Sequence, residues 1–508
     1  MKNELKVGVI LQYLQMALSI LINLIYTPIM LNILGQSEYG IYNLASSIIA
    51  YLNLLSLGLG ASYIRFYTRY KKEDDQKGIE KLNGLYLAAF LVIGLIALVS
   101  GLVLSFNVSI FFNDTYTLDD LRIAKILMIF LSVNLAVSFP ASVFTAFITS
   151  QEKFIFQKLV NIGKTVIGPL FSIVALFMGF GSIGMVIITT AISLCIDLIN
   201  LIYCISKLKM RFSFGKFDFS LFKEIMLFSI FIAINQIIDQ INWQTDKIIL
   251  GKMINSTAVS IYAVSATINT LYLSFSTAVS FVFTPTVHRI VNENQPDANQ
   301  KLTDLMIKVG RIQLFIISLI LTGFIFFGKY FINKWAGADY ALSYYVVLIL
   351  ICPVTIPLLQ NLGIEIQRAK NMHKFRSVAY LIMALINVVI SIILCRIWGV
   401  IGVAVGTAIS LIVCNVFIMN FYYHKKVGIN VLKFWKEILK GLPAFIIPGF
   451  FGILLMNFYT FKNLIDFVLL ICVYVLIYGI SVFVLGLNKS EKKAVLKPFK
   501  KREMKKDD

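Results

Sequence analysis

The 508-residue sequence is 58% hydrophobic, has a mean hydropathy of +0.83 and carries a formal net charge of +20, from 46 Lys and Arg against 26 Asp and Glu. That much apolar surface exceeds what a soluble core of this size can hide, so the expected fold class is an all-α polytopic membrane protein. The positive charge invites a nucleic-acid reading, which its placement along the chain excludes.

Fourteen apolar runs follow one another: 8–33, 40–62, 82–106, 121–149, 158–178, 182–206, 222–250, 257–287, 305–330, 340–362, 376–397, 400–423, 437–459 and 463–486. A helix crosses the hydrocarbon core in ~20 residues, and these lengths fit helices rather than barrel strands. The first run follows Lys2 and Lys6, but it is too long for a signal-peptide core and lacks a small-residue cleavage site, so it counts as span one. An even number of crossings puts both termini on one side. With cytosolic termini, 38 of the 46 Lys and Arg fall in inner segments, a strong positive-inside bias. The charge is therefore a topology device, helped at "NKSEKKAVLKPFKKREMKK" by attraction to anionic lipids. No nucleic-acid partner is expected.

The six cysteines (Cys195, Cys204, Cys352, Cys395, Cys414 and Cys472) all lie in apolar runs and read as packing residues. His288, His373 and His424 sit at separate span ends. Neither type has metal-ligand spacing, and no metal, cofactor or catalytic residue is expected.

Two internal echoes organise the chain. At an offset of 220, Gln15 faces Asn235, Ser19 faces Asp239, Tyr26 faces Asp246, and Gly40, Ile41 and Tyr42 of "LGQSEYGIYNL" face Ser260, Ile261 and Tyr262. At an offset of 218, "GSIGMVIIT" (181–189) faces "GVIGVAVGT" (399–407), each joining two apolar runs. Spans one and two thus match seven and eight, and five and six match eleven and twelve. The expected organisation is an N-lobe, 1–215 (spans one to six), a C-lobe, 216–428 (spans seven to twelve), and spans thirteen and fourteen with a basic tail, 429–508. Six spans per repeat is even, so the two halves share one orientation about an axis along the membrane normal.

Charge buried in lipid costs at least ~2.5 kcal/mol per group, so polar residues in spans should face protein or water. In span seven Asn235, Asp239, Asn242 and Asp246 follow i, i+4, i+7, i+11 and form one stripe, with Lys247 beside Asp246. Span one carries a milder stripe in Gln12, Gln15, Ser19, Asn23 and Tyr26. Both stripes suit the wall of a cavity between halves, and both also suit hydrogen bonding between helices. Deep cations are few. Arg65 ends span two, Lys164 lies in span five, and Arg122 and Lys125 open span four from outside. Lys164 is the best single partner for an anionic cargo, while snorkelling explains Arg65, Arg122 and Lys125 equally well. Asp197 and Glu365 remain open as partners or proton sites.

The stretches "LGQSEYGIYNLASSI", "LGLGASYIRFYTRY", "TDKIILGKMINSTAVSIYAVSATI" and "WGVIGVAVGTAIS" resemble the bacterial polysaccharide repeat-unit (Wzx-like) flippases. Their superfamily also holds multidrug and toxin extrusion exporters and lipid II flippases. The resemblance covers nearly the whole chain. It implies two six-helix lobes around a central cavity plus two C-terminal helices, in the bacterial inner membrane with both termini cytosolic. It further implies transport of an undecaprenyl-diphosphate-linked oligosaccharide for O-antigen or capsule synthesis, with membrane lipids, polymerase and glycosyltransferases as partners. Charged cavity residues would meet the diphosphate; Arg65, Asp246 and Lys247 sit where the family places charge, although deep cations are scarce here.

A drug exporter of the superfamily usually stops near twelve spans, and a lipid II flippase would carry a more cationic cavity. An enzyme such as a glycosyltransferase or polymerase would want catalytic groups on a sizeable outer loop. The longest outer connection, about 107–120, offers only Asp114, Asp119 and Asp120 as charges.

Overall fold

The structure, a computed structural model, describes residues 2–215, 218–293 and 295–493, and every regular element among them is helical. Eleven segments are long and apolar enough to cross a membrane, and Phe219–Met253, bent by 43° between Ile230 and Ile232, makes twelve. Two segments are too long for one crossing: Ile10–Lys72 has 63 residues and His373–Val427 has 55, about 95 and 80 Å of helix against a core of ~30 Å. Each turns back at a glycine whose backbone suits only a residue without Cβ: φ 71° and ψ 175° at Gly35, φ 56° and ψ −129° at Gly399. Beyond Gly399 the chain runs back along itself, with the Ser391 hydroxyl donating to the Val403 carbonyl at 3.4 Å. Fourteen crossings result, as the apolar runs predict.

In chain order, spans one and two share Lys2–Ala50 across Gly35, and the second continues through Tyr51–Ser56 and Leu59–Lys72. Spans three to six are Gln76–Phe106, Leu118–Ser150, Phe154–Phe177 and Gly181–Ile202, and seven to ten are Phe219–Met253, Ser256–Asn292, Ala298–Trp335 and Ala341–Leu359. His373–Ile412 carries span eleven and the start of twelve; Ile446–Phe458 and Leu464–Ser481 are thirteen and fourteen. Span two differs from expectation. The unbroken run at 40–62 is interrupted by a 3-10 turn, after which Leu57 takes φ 48° and Gly58 φ 72° before helix resumes. Hydropathy is blind to such a break, because the interrupted residues are as apolar as their neighbours.

Tertiary contacts divide the chain into two compact units, Met1–Val264 with Tyr380–Gly406, and Ser265–Ala379 with Thr407–Asp508. The first is centred on an aromatic core in which Tyr63, Phe66, Tyr67, Tyr86, Phe90, Phe139 and Phe147 are buried. Its elbows touch its helix starts in a repeated manner. Glu38, just past the Gly35 elbow, accepts the Ser182 N–H at 2.6 Å, capping span six, which satisfies an orphan donor at the positive end of a helix. Ile254, at the elbow of spans seven and eight, lies against Gly399 at the start of span twelve. Gly181 and Gly399, paired by the 218-residue echo, have φ of 57° and 56°.

In the second unit spans thirteen and fourteen pack on span nine through Phe327, Phe467, Tyr474 and Tyr478. Arg311 of span nine, only 5% exposed, joins them. Its guanidinium donates to both Glu491 carboxylate oxygens at 2.7 and 2.9 Å, to the Gly486 carbonyl at 2.7 Å and to the Glu437 carbonyl at 2.8 Å. A buried cation needs this saturation, since a missing partner leaves the desolvation cost uncompensated.

Candidate functional site

Span seven carries two polar faces, and the structure treats them differently. One face is a zipper against span two. Ser229 and Ser62 are 3.0 Å apart, Ser56 donates to Gln236 at 3.3 Å, Ser47 donates to Gln244 at 2.9 Å, and the Tyr51 and Thr245 hydroxyls are hydrogen-bonded. Each contact gives a polar side chain in an apolar setting its partner, the usual adhesive between membrane helices. None of these residues stands out in the sequence. Gln236 and Gln244 are eight apart and could have been read as a second stripe.

The other face is the expected stripe of Asn235, Asp239, Asn242 and Asp246. Asn235 and Asp239 are exposed, Asn242 is half-buried and Asp246 is only 1% exposed. The four share a helix face, but burial rises steadily toward the C-terminal end of the span. Asp246 accepts a hydrogen bond from the Tyr262 hydroxyl of span eight. Cys395 of span eleven is within electrostatic reach of the same carboxylate. Lys247 is half-buried and lies 3.4 Å from the Gln244 side-chain oxygen. Tyr262 belongs to the echoed Ser-Ile-Tyr, so its partner was in view in the sequence, although the contact was not.

In span one the stripe is partly turned into the protein. Gln15, Ser19 and Asn23 are all half-buried. The Asn23 amide donates to the Ser19 carbonyl at 2.8 Å. The Gln15 Oε1 is buried and has no hydrogen-bond partner among the described residues, an uncommon and costly state for a polar atom.

The candidate cations lie apart. Arg65 is exposed, its guanidinium 4.2 Å from the centre of the Phe228 ring of span seven, an attraction between cation and ring face. Lys164 is exposed on span five, within electrostatic reach of half-buried Asp197 on span six. The structure thus brings Lys164 to Asp197 and Arg65 to span seven. It brings neither to Asp246.

A helical membrane protein of fourteen crossings, with polar and charged side chains set into its spans, is the class that fold and site define. Over 94% of its length the chain superposes on 98% of a solved lipid II flippase MurJ in an inward closed conformation, with a TM-score of 0.73 at 17% identity. It also matches an inward-facing multidrug resistance MATE family transporter of the MOP superfamily, with a TM-score of 0.66 at 13% identity over 82% of this chain and 96% of that one. In sequence it is 23% identical to the "uncharacterized membrane protein EpsK" of Bacillus subtilis, over 95% of this chain and 96% of that protein. The model of the polysaccharide biosynthesis protein family matches residues 6–291, more than half of the chain. The protein belongs to that family.

Proposed function

We propose that the protein is a flippase that carries an undecaprenyl-diphosphate-linked oligosaccharide repeat unit from the cytosolic to the outer leaflet by alternating access, supplying synthesis of an O-antigen or capsule type of surface polysaccharide. The observation that carries this reading is the exposed Asn235 and Asp239 in the middle of an apolar crossing, within a chain of the polysaccharide biosynthesis family. A flippase breaks no bond. It must give a polar headgroup a path across ~30 Å while the lipid tail stays in hydrocarbon, and a polar face with few cations suits sugars better than it suits a bare pyrophosphate. Gln15, Ser19 and Asn23 on span one, Asn235, Asp239, Asn242, Asp246 and Lys247 on span seven, and Arg65 and Lys164 are the residues proposed to line that path.

The reading includes two six-span halves, 1–215 and 216–428, supported by the matching φ of Gly181 and Gly399. It also includes residence in a bacterial inner membrane with both termini cytosolic, supported by the Lys and Arg bias, and work alongside glycosyltransferases and a polymerase. Deletion of the gene should trap lipid-linked repeat units in the cytosolic leaflet, measured by their access to an external periodate or glycosidase probe. Normal export in the deletion strain, with only drug sensitivity altered, would sink the proposal in favour of a drug exporter. Reporter fusions after residues 112 and 508 should report outside and inside respectively.

A further inference from the structure

Spans two and seven are interrupted at the same place. In span two Leu57 takes the left-handed φ of 48°, which a leucine adopts only under strain, and the following Gly58 lies so close to Ile232 that a Cβ would come within 2.6 Å of it. In span seven the axis turns by 43° between Ile230 and Ile232. Beside the two breaks lies an open cavity of about 260 Å³, lined by Leu57, Lys223, Met226, Leu227, Ile230 and Ala233.

We propose that this cavity binds the lipid end of the cargo, holding the first isoprene units of a polyprenyl chain with its phosphate on Lys223; the assignment rests on the transport reading above. Three observations argue for that occupant. Lys223 and Ala233 both line the cavity, and ten residues of helix span about 15 Å, half of the ~30 Å core; the site is one leaflet deep. Lys223 is exposed and makes no ion pair among the described residues, whereas its neighbour Glu224 is occupied by Arg69 at 2.9 Å. Exposed Arg65, over the Phe228 ring, adds a second cation on the same helix pair. A phosphate with one chain matches a cation above an apolar slot. A space of about 260 Å³ takes the first part of a lipid chain and not its whole length.

The test uses the full-length protein in phosphatidylcholine nanodiscs containing equal amounts of undecaprenyl phosphate and phosphatidylglycerol. A photoreactive p-benzoylphenylalanine replaces Leu227 or, as a lipid-facing control, Leu476, which is 66% exposed on span fourteen. At 227 the undecaprenyl phosphate adduct should exceed the phosphatidylglycerol adduct by about tenfold. Lys223→Gln should cut it about fivefold, the worth of one cation near a lipid phosphate, and Ala233→Phe, which fills the slot, should remove it. At 476 the two lipids should be captured alike. Capture at 227 in the same ratio as at 476, a preference for phosphatidylglycerol, or indifference to Lys223→Gln in protein that remains monodisperse would each overturn the site. Non-selective capture alongside trapped repeat units in the deletion strain would overturn only this site. Selective capture alongside normal export would overturn only the transport reading.

Discussion

Arg311 and Lys164 are both cations within apolar helices, and the protein handles them in opposite ways. Arg311 is sealed, its nitrogens shared among one carboxylate and two backbone carbonyls. Lys164 is left exposed, with only the longer-range influence of Asp197. A cation that fastens helices must be saturated, because its desolvation is recovered only through its own partners. One that is to meet a transient anion has to keep donors free. The contrast separates charge committed to the fold from charge left exposed.

The sharpest way to break the contrast is Arg311→Ala. It should destabilise the protein by about 3–5 kcal/mol, read as a fall in thermal midpoint and in the yield of monodisperse protein. Lys164→Ala and Asp239→Ala should instead leave stability unchanged and lower export of lipid-linked units by about tenfold, the worth of one charge-assisted hydrogen bond. Normal export in both variants would return those residues to a role in helix packing. Ser229→Ala, in the zipper between spans two and seven, should cost only about 1 kcal/mol in thermal unfolding.

The smallest effect is one of pH. Burial pushes the Glu491 carboxyl up, but hydrogen bonds from Arg311 and from the Asn488 N–H, with the Arg311 charge, outweigh it and hold the group below its ordinary 4.5. A carboxyl depressed in the folded state stabilises above its unfolded value and loses that contribution as pH falls through the folded one. Between pH 6 and pH 3 the wild type should therefore lose more of its thermal midpoint than Glu491→Gln does, and parallel curves would show that the pair contributes nothing.

The crossings were legible in the sequence because apolar length is a direct reading of bilayer thickness, and Gly181 with Gly399 announced matched turns. Arg311 is the seventh residue of the run 305–330, and a cation that far into an apolar run was the available signal for burial. Its partner Glu491 is 180 residues away, and nothing local points to it. The break in span two was invisible for a different reason, since Tyr51 to Leu57 are as apolar as the rest of the run at 40–62. The stripe of span seven was legible as a face by its period, yet the rise in burial from Asn235 to Asp246 depends on neighbours that periodicity does not encode. The zipper of Ser229, Gln236, Gln244 and Thr245 was overlooked because its partners in span two lie 167 to 197 residues away in the chain.

The cap that Glu38 places on span six has a consequence in time. Its partner Ser182 lies 144 residues downstream, and synthesis at about 5–20 residues per second takes roughly 7–30 s to reach it. Through that interval the first hairpin must be held in the membrane without this bond. Early in the life of the chain, Glu38 stands at an unfinished joint, and its bond to Ser182 closes only when the sixth helix arrives.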